Sequence, residues 1–288
     1  MQGIVNVYKE KGWTSFDVVN KLKRVYNTTK IGHLGTLDPM AEGVLPVAIG
    51  KATKLFDLYL KKTKAYRAEF TFGSETDTLD SDGEVINSTD KIPTIDELKQ
   101  ATKKFVGTIN QVPPAFSAVK VNGKRAYDLA RKNVDFSLSA KQVKIFNFEV
   151  EEQLNKNCFS FLIECSAGTY IRSLARDLAN SLGSLATMTK LTRIRSGEFY
   201  IKDAKTIDEI VLRPADSLRS LDEVLSDLPK LEIKGEDARK VKNGVKIKLN
   251  NSLDNGRKRI YIEGKLFAIG EILDGKLTCL VRLFEGEE

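Results

Sequence analysis

The chain contains 288 residues, of which 41% are hydrophobic and 30% charged, a balance typical of a folded globular protein. Its lysines and arginines exceed its aspartates and glutamates by 46 − 39 = 7, which favours a polyanionic partner such as nucleic acid. The sequence contains no apolar run of about 18 residues and does not begin with a signal-peptide pattern. We therefore expect a cytoplasmic protein that does not enter the membrane, with one large and one smaller domain.

The first part of the chain predicts strands, helices and one long loop. Residues 3–9 are typical of a short buried strand, and Ser15 is positioned to cap a helix that continues to Tyr26. Residues 28–43 are rich in glycine and contain Pro39, which favours a loop over a helix or a central strand. The next predicted elements are a strand and an amphipathic helix, over residues 44–50 and 52–61.

The middle of the chain contains the clearest strand pattern. Alternation over residues 64–73 places one set of side chains on a single face of a half-buried strand: Tyr66, Ala68, Phe70 and Phe72. The dipeptide Asn122-Gly123 predicts a β-hairpin. Helices are predicted over residues 94–106, 125–132 and 169–183, and strands over residues 143–150 and 159–167. Because these elements do not follow a βαβ rhythm, we predict an α+β fold with a mixed, mainly antiparallel sheet.

The pattern changes after about residue 228. Short β-like segments are then separated by closely spaced turn dipeptides, which is typical of a small β-barrel. From Arg239 to Arg259 the sequence has eight basic residues and one acidic residue, Asp254. These basic residues could contact phosphates or form a solvated surface, and the sequence leaves both interpretations open. We predict two domains, residues 1–228 and residues 229–288.

Few residues could hold a metal ion or a redox centre. The cysteines form no C-x-x-C pair and are interpreted as free thiols: Cys158, Cys165 and Cys279. His33 is the one histidine, so a multi-histidine metal site or a Ser-His-Asp triad would depend on it alone. The acidic turn over residues 77–83 lacks the closing glutamate of a calcium loop, and the phosphate-loop signatures are missing. We therefore expect no metal and no cofactor.

The segment Gly32-His33-Leu34-Gly35-Thr36-Leu37-Asp38-Pro39 is the first candidate for chemistry. Glycines permit tight turns and the close approach of a ligand, and Pro39 restricts Asp38 to an extended conformation. The loop is therefore suited to present the Asp38 carboxylate. A turn-capping aspartate in an ordinary loop fits the same residues.

The segment Gly168-Thr169-Tyr170-Ile171-Arg172 is the second candidate. Arg172 could pair bidentately with a carboxylate and hold it ionised and oriented, and Tyr170 offers an aromatic face and a hydroxyl group. Tyr66 offers the same groups on its alternating strand. A surface arginine at a helix start and a core tyrosine fit these residues as well, so both alternatives stay open at this point.

Taken together and in order, these segments resemble the TruB family of tRNA pseudouridine synthases. The resemblance covers most of residues 3–200 and is carried by GIVNVYKEKGWTSFDVV, KIGHLGTLDPMAEGVLPVAIGKATK, KAYRAEFTFGSETDTLDSDGEV, QVPPAFSAVKVNGKRAYDLAR, SAGTYIRSLARDLANSLG and LTRIRSG. The C-terminal part is similar, more weakly, to the PUA-like RNA-binding module that ends many members. The resemblance implies a catalytic domain of the pseudouridine synthase type followed by a small β-barrel-like PUA-type module.

The resemblance also implies an activity and a set of site residues. Members convert the uridine at position 55 in the T-loop of tRNA to pseudouridine, with the base flipped out and without a cofactor. Asp38 matches the family's nucleophile, and Arg172 matches the arginine paired with it. Tyr66 matches the tyrosine that stacks on the target base, and we assign it as acceptor of the C5 proton. Four further matches are substrate-binding or supporting positions: His33 against the flipped-out bases, Tyr170 and Leu191 as pocket walls, and Asp80.

Two other interpretations fit parts of the sequence. Related archaeal and eukaryotic synthases act with a guide RNA inside a ribonucleoprotein and carry a longer C-terminal module. The short module here favours a stand-alone enzyme, by default a monomer, that acts on the tRNA T-arm without a guide RNA. A non-catalytic RNA chaperone would not need the complete set of Asp38, Tyr66, Tyr170 and Arg172.

Overall fold

The computed structural model describes residues 1–132, 134–249 and 254–283. The strands are β1 (Gly3–Lys9), β2 (Ile31–His33), β3 (Glu42–Ile49), β4 (Lys64–Phe72), β5 (Ser74–Thr76), β6 (Val85–Ser88), β7 (Gly107–Gln111), β8 (Lys120–Val121), β9 (Lys124–Arg125), β10 (Lys141–Gln153), β11 (Cys158–Cys165), β12 (Ala186–Ser196), β13 (Phe199–Tyr200), β14 (Leu218–Arg219), β15 (Lys230–Ile233), β16 (Ile247–Lys248), β17 (Gly256–Ile262), β18 (Lys265–Leu273) and β19 (Lys276–Arg282). The α-helices are α1 (Ser15–Val25), α2 (Phe56–Leu60), α3 (Ile95–Lys103), α4 (Ala126–Ala130), α5 (Ile171–Ser181), α6 (Ile207–Leu212), α7 (Pro214–Ser217), α8 (Leu221–Val224) and α9 (Gly235–Lys242). Short 3₁₀ segments cover Gly50–Leu55 and Ile201–Asp203.

A large mixed sheet organises the chain up to β14. Its strands lie in the order β14-β1-β3-β12-β4-β11-β10-β7, with β13 beside β12 and β2 beside β3. The described pairings are antiparallel except that of β12 with β3, which confirms the predicted α+β fold with a mainly antiparallel sheet. The parallel junction needs Gly43, because a Cβ atom there would lie 2.5 Å from the carbonyl oxygen of Arg193.

The helix starts show where local sequence signals were sufficient. Thr14, and not Ser15 as predicted, caps α1, since its side chain accepts a hydrogen bond from the backbone of Asp17 and the Asp17 carboxylate accepts one in return. Thr94 caps α3 with Glu97 in the same reciprocal way, and α3 ends at Lys103 rather than at the predicted residue 106.

Two predictions around β3 were wrong. The predicted loop over residues 28–43 contains β2, whose backbone pairs with β3, and β3 itself begins at Glu42. The helix predicted over residues 52–61 is a 3₁₀ segment followed by the short helix α2. Ala52 and Leu55 are both buried and lie three residues apart, which is the repeat of a 3₁₀ helix.

The main core lies between the large sheet and the helices α1, α3 and α5. The predicted inward face of β4 is confirmed, because all of its members are buried: Tyr66, Ala68, Phe70 and Phe72. Phe70 stacks on Phe161 of β11 with ring centroids 4.5 Å apart. Leu174 and Leu178 bring α5 onto the same core. The core therefore fixes β4 and α5, which carry several of the candidate site residues.

The described residues from 230 to 249 and from 254 to 283 contain a second sheet, in the order β15-β17-β18-β19-β16, against which α9 packs. This confirms the short strands predicted after residue 228, while closure into a barrel and the boundary between residues 228 and 229 stay predictions. The two sheets share a hydrophobic cluster in which Tyr261 and Leu266 pack with Ile4 and Val44. Part of the basic segment, residues 250–253, lies outside the described residues.

Two simple expectations concern the cysteines and membrane helices. Cys158 and Cys165 are buried and Cys279 is partly buried, and all are free thiols, as predicted. In the described part of the chain, the helices are too short or too polar to cross a membrane.

Candidate active site

Asp38 lies in the loop between β2 and β3 and is paired with Arg172. Oδ2 of Asp38 lies 2.9 Å from Nη2 of Arg172, where 37% of the Asp38 side chain is exposed but only 8% of the Arg172 side chain. The carboxylate therefore faces the solvent while its partner is buried. The predicted pairing is present, and the alternative of a surface arginine is wrong.

The prediction that Arg172 binds one carboxylate bidentately was wrong. Arg172 divides its terminal nitrogens between two carboxylates, since Nη1 lies 3.2 Å from Oδ2 of Asp80. Nη1 also donates to the carbonyl oxygen of Thr78 at 3.1 Å, and Nη2 donates to that of Phe116 at 3.2 Å. A planar guanidinium held at four atoms has one orientation, so it fixes the direction from which it contacts Asp38.

Asp80 is held inside the turn that follows β5. Its Oδ1 accepts hydrogen bonds from the hydroxyl of Thr78 at 2.7 Å and from the backbone of Asp82 at 3.1 Å. Burial raises the pKa of Asp80, and the Thr78 hydrogen bond and the Arg172 charge oppose that shift. The side chain of Asp80 contacts Arg172 and its own turn, and the supporting role that the resemblance implies for it stays a prediction.

The start of α5 orients Tyr170 and Arg172. The backbone N–H of Tyr170 donates to Oε1 of Gln111 at 2.8 Å, and Nε2 of Gln111 donates to the Tyr170 carbonyl at 3.1 Å. Gln111 is 1% exposed and uses both ends of its amide on this one residue. The hydroxyl of Ser173 donates to the carbonyl of Val112 at 2.9 Å. These bonds tie the first turn of α5 to the end of β7.

Arg193 holds the loop that carries Asp38. It lies on β12 and donates from Nε to the carbonyl of Val44 at 2.7 Å, from Nη1 to Thr36 at 3.0 Å and from Nη2 to Gly35 at 3.1 Å. Both sides of the loop are thus attached to one buried side chain.

Two further side chains hold the loop next to Asp38. The hydroxyl of Ser15 donates to the carbonyl of Leu37 and accepts from its N–H, each at 2.9 Å. The ammonium of Lys9 is buried and donates to the carbonyl of Pro39 at 3.3 Å. Burial lowers the pKa of Lys9 to about 8, although the charge of Asp38 opposes this shift. The loop backbone on both sides of Asp38 is therefore fixed before any ligand binds.

Tyr66, Tyr170 and Leu191 are close to the same site. Tyr66 on β4 and Leu191 on β12 are buried and lie on adjacent strands. Burial raises the pKa of Tyr66 to about 12, and the charge of Arg193 opposes this shift, so the hydroxyl is protonated at neutral pH. Burial also raises the pKa of Tyr170, and the charge of Asp38 raises both tyrosine pKa values further, which places the three groups near one another.

His33 lies on β2, opposite Val47 of β3. Burial lowers its pKa, with a further lowering from the charge of Arg193, so the imidazole is neutral at pH 7. Within the described residues its Nδ1 atom is buried without a hydrogen-bond partner. The contact with flipped-out bases that the resemblance implies for His33 stays a prediction.

The residues that sequence reasoning missed are the ones that anchor backbone: Lys9, Ser15, Gln111 and Arg193. One of them carried a readable signal. Arg193 lies two residues after Leu191 in the same strand, so both side chains project to the same face of the sheet. Because the resemblance implies that Leu191 is a pocket wall, Arg193 is expected to point inward as well. An arginine on the apolar face of a strand needs internal partners. Gln111 and Lys9 carried no comparable signal.

The arrangement can perform carboxylate chemistry on a planar ligand. Over the described residues, no group of three or more His, Cys, Asp and Glu side chains is arranged to hold a metal ion. Asp38 is an accessible carboxylate whose position is fixed by a buried arginine, and carboxylates held in this way act as covalent nucleophiles. The neighbouring aromatic rings and Leu191 offer surfaces on which a base can stack.

The fold is shared with a solved protein complex. A structure described as "Crystal Structure of a Cbf5-Nop10-Gar1 Complex" superposes with a TM-score of 0.72 and 27% identity, covering 98% of this chain and 85% of that chain. The names of the chain's sequence relatives define its class, which is that of the pseudouridine synthases.

Sequence comparison defines the family within that class. The family model described as TruB family pseudouridylate synthase (N terminal domain) matches residues 23–171. A "tRNA pseudouridine synthase B" of Clostridium kluyveri is 38% identical over 99% of this chain and 100% of its own length. A protein of the same name from Lactobacillus johnsonii is 43% identical over 88% of this chain and 89% of its own length. The chain belongs to the TruB family of pseudouridylate synthases.

Proposed function

We propose that the chain isomerises the uridine at position 55 in the T-loop of tRNA to pseudouridine, by base flipping and without a cofactor, with Asp38 as nucleophile. The reaction breaks the bond between N1 and C1′, turns the base and joins C5 to C1′, while C5 loses its proton and N1 takes up a proton. It therefore requires a nucleophile, a pocket that retains the detached base and an acceptor for the C5 proton.

The observation that carries the proposal is the pair formed by Asp38 and Arg172. The charged ends of the two side chains are 2.9 Å apart, and the partial exposure of the Asp38 side chain leaves it accessible to a ligand. Because Arg172 is buried and held by Asp80 and two carbonyl groups, it does not have to reorganise when a substrate arrives. Such a preorganised carboxylate is suited to covalent catalysis.

The walls of the site support the handling of the base. Tyr66 is the stacking platform and the acceptor of the C5 proton, and Tyr170 and Leu191 close the pocket. His33 contacts the other bases that leave the T-loop. A neutral imidazole at His33 is suited to hydrogen bonding and stacking with RNA bases.

The substrate class follows from the relatives and from the charge of the second sheet. The matched relatives carry the name tRNA pseudouridine synthase B. Residues 1–228 form the catalytic domain of this proposal, and residues 229–288 form a PUA-type module that contacts the tRNA backbone. Several of the described basic residues of this module suit phosphate contact: Lys234, Arg239, Lys240, Lys242, Lys246, Lys248, Arg257 and Lys258.

A second candidate is a guide-dependent synthase, which the structural likeness to the Cbf5 protein of a multiprotein complex favours. We propose the stand-alone form, a monomer that recognises the T-arm directly. Pseudouridine formation on a bare T-arm hairpin, without guide RNA or added proteins, distinguishes the two. A strict requirement for such additions would overturn the stand-alone form.

Asp38→Asn tests the proposed nucleophile. A T-arm hairpin with tritium on C5 of the target uridine releases tritium with the wild-type chain, and we expect no release with Asp38→Asn at unchanged hairpin affinity. Asp57→Asn, an exposed aspartate on α2, is the matched control and should release tritium at the wild-type rate. Substantial release by a pure Asp38→Asn preparation would show that another group attacks.

A further inference from the structure

Arg193 is buried, and its guanidinium group contacts backbone carbonyl groups. It is 1% exposed and lies on β12, between β3 and β4 in the centre of the large sheet. Over the described residues, no carboxylate is within ion-pair distance of its guanidinium group. Burying an arginine costs free energy unless its N–H groups donate hydrogen bonds to internal acceptors. The acceptors of Arg193 therefore indicate what the residue does in the fold.

The N–H groups of Arg193 are used on the backbone around the nucleophile. Two of its three acceptors, the carbonyl oxygens of Gly35 and Thr36, precede Asp38 by three and two residues. The third acceptor, the carbonyl oxygen of Val44, lies in β3 after the loop has ended. One rigid group therefore bridges the entry and the exit of the loop.

Arg193 is also the cross-strand neighbour of Tyr66. The two residues are paired in the antiparallel register of β12 with β4, and such partners project on the same face of a sheet. The charge of Arg193 is close enough to lower the pKa of the Tyr66 hydroxyl against the larger effect of burial. The same side chain thus contacts the Asp38 loop and adjoins the stacking tyrosine.

We propose that Arg193 is a positioning residue that sets the separation between Asp38 and Tyr66. The nucleophile and the stacking platform must reach opposite parts of one nucleotide, and a small error in their separation is costly for the rate. This inference rests on the proposed function, because it concerns how the groups of that site are aligned. Arg193 itself is buried beneath the loop and acts through Asp38 and Tyr66.

Arg193→Lys is the deciding variant, because an ammonium is a compact charge and cannot span the three carbonyl groups that the planar fork reaches. Arg193→Met removes the charge and all donors. The matched control is Arg195→Lys, which changes an arginine two residues along β12 that pairs with Glu164. Single-turnover tritium release, KM for the hairpin, hairpin affinity and urea unfolding are measured for each chain.

We expect the maximal rate of Arg193→Lys to fall about a hundredfold, as for a displaced catalytic group, with unchanged KM and affinity. Arg193→Met should be slower still, and Arg195→Lys should match the wild type. A purely structural role of Arg193 would instead lower the folded fraction of Arg193→Lys and Arg193→Met equally. It would not lower the maximal rate at an unchanged KM.

Three results would overturn the inference: a wild-type rate in folded Arg193→Lys, a higher KM with an unchanged rate, or a failure of Arg193→Lys to fold. The last would make Arg193 a residue of the scaffold alone. Failure of the proposed function is recognised separately, because the wild-type chain would then form no pseudouridine in the hairpin.

Discussion

Replacing Arg172 by lysine tests how Asp38, the proposed nucleophile, is held. The guanidinium contacts Asp38 at 2.9 Å and Asp80 at 3.2 Å. It also donates hydrogen bonds to the carbonyl oxygens of Thr78 and Phe116. A lysine keeps the charge, but its ammonium cannot occupy both ends of this fork. Asp80 is the more buried partner, with 7% of its side chain exposed against 37% for Asp38, so we expect the lysine to stay with Asp80.

The expected magnitude follows from the lost contact with Asp38. A hydrogen bond to a charged group contributes roughly 1.5–3 kcal/mol, which corresponds to a rate reduction of roughly 10- to 150-fold if the contact serves the transition state. Affinity for the hairpin should change little, because Arg172 is buried behind Asp38 and does not reach the ligand. The loss should therefore appear in the maximal rate.

The assay is single-turnover tritium release by Arg172→Lys at saturating T-arm hairpin, with affinity measured by filter binding. Arg176→Lys is the matched control, since Arg176 lies one turn further along α5 and pairs with Asp177 instead. A wild-type rate for Arg172→Lys would refute the argument that the planar fork orients Asp38. An equal loss in Arg176→Lys would attribute the effect to α5 as a whole.

Two further predictions concern ionisation. Burial raises the pKa of Tyr66 to about 12, so the phenolate fraction grows from pH 7 to pH 9, and tritium release should become faster over this range if the phenolate accepts the C5 proton. Tyr66→Phe should bind the hairpin normally but lose this pH dependence. If the variant keeps the pH dependence, Tyr66 does not take part in the proton transfer. Burial lowers the pKa of Lys64 to about 8 from 10.5, so between these values the unfolded chain binds more protons and stability rises with pH. The free energy of unfolding of the wild-type chain, measured with urea, should rise from pH 7.5 to pH 10, and this rise should be smaller by at most about 3 kcal/mol in Lys64→Met. An identical rise in both chains would contradict the lowered pKa of Lys64.

Local patterns in the sequence were sufficient where the deciding interaction spans few residues. The alternation in β4 predicted its buried face, because successive side chains of a strand point to opposite sides. The cap at Thr94 was readable because its partner Glu97 is three residues away. The same rule placed the cap of α1 one residue late, since Thr14 and Ser15 are both good capping residues and only the packing of Ser15 beneath the loop decides between them.

The sequence by itself also determined the family and identified Asp38 as a candidate site residue, because a long and specific loop motif can be recognised without knowledge of the fold. Only the tertiary structure decided how Asp38 is held. Arg172 shares its two ends between Asp38 and Asp80, and Arg193 reaches Gly35 across 158 positions of the chain. No local pattern contains such pairs, because the sheet order that brings β12 beside β3 and β4 arises from the burial of the whole core. The motif therefore points to Asp38 as the proposed nucleophile, and the surrounding fold gives this side chain its direction.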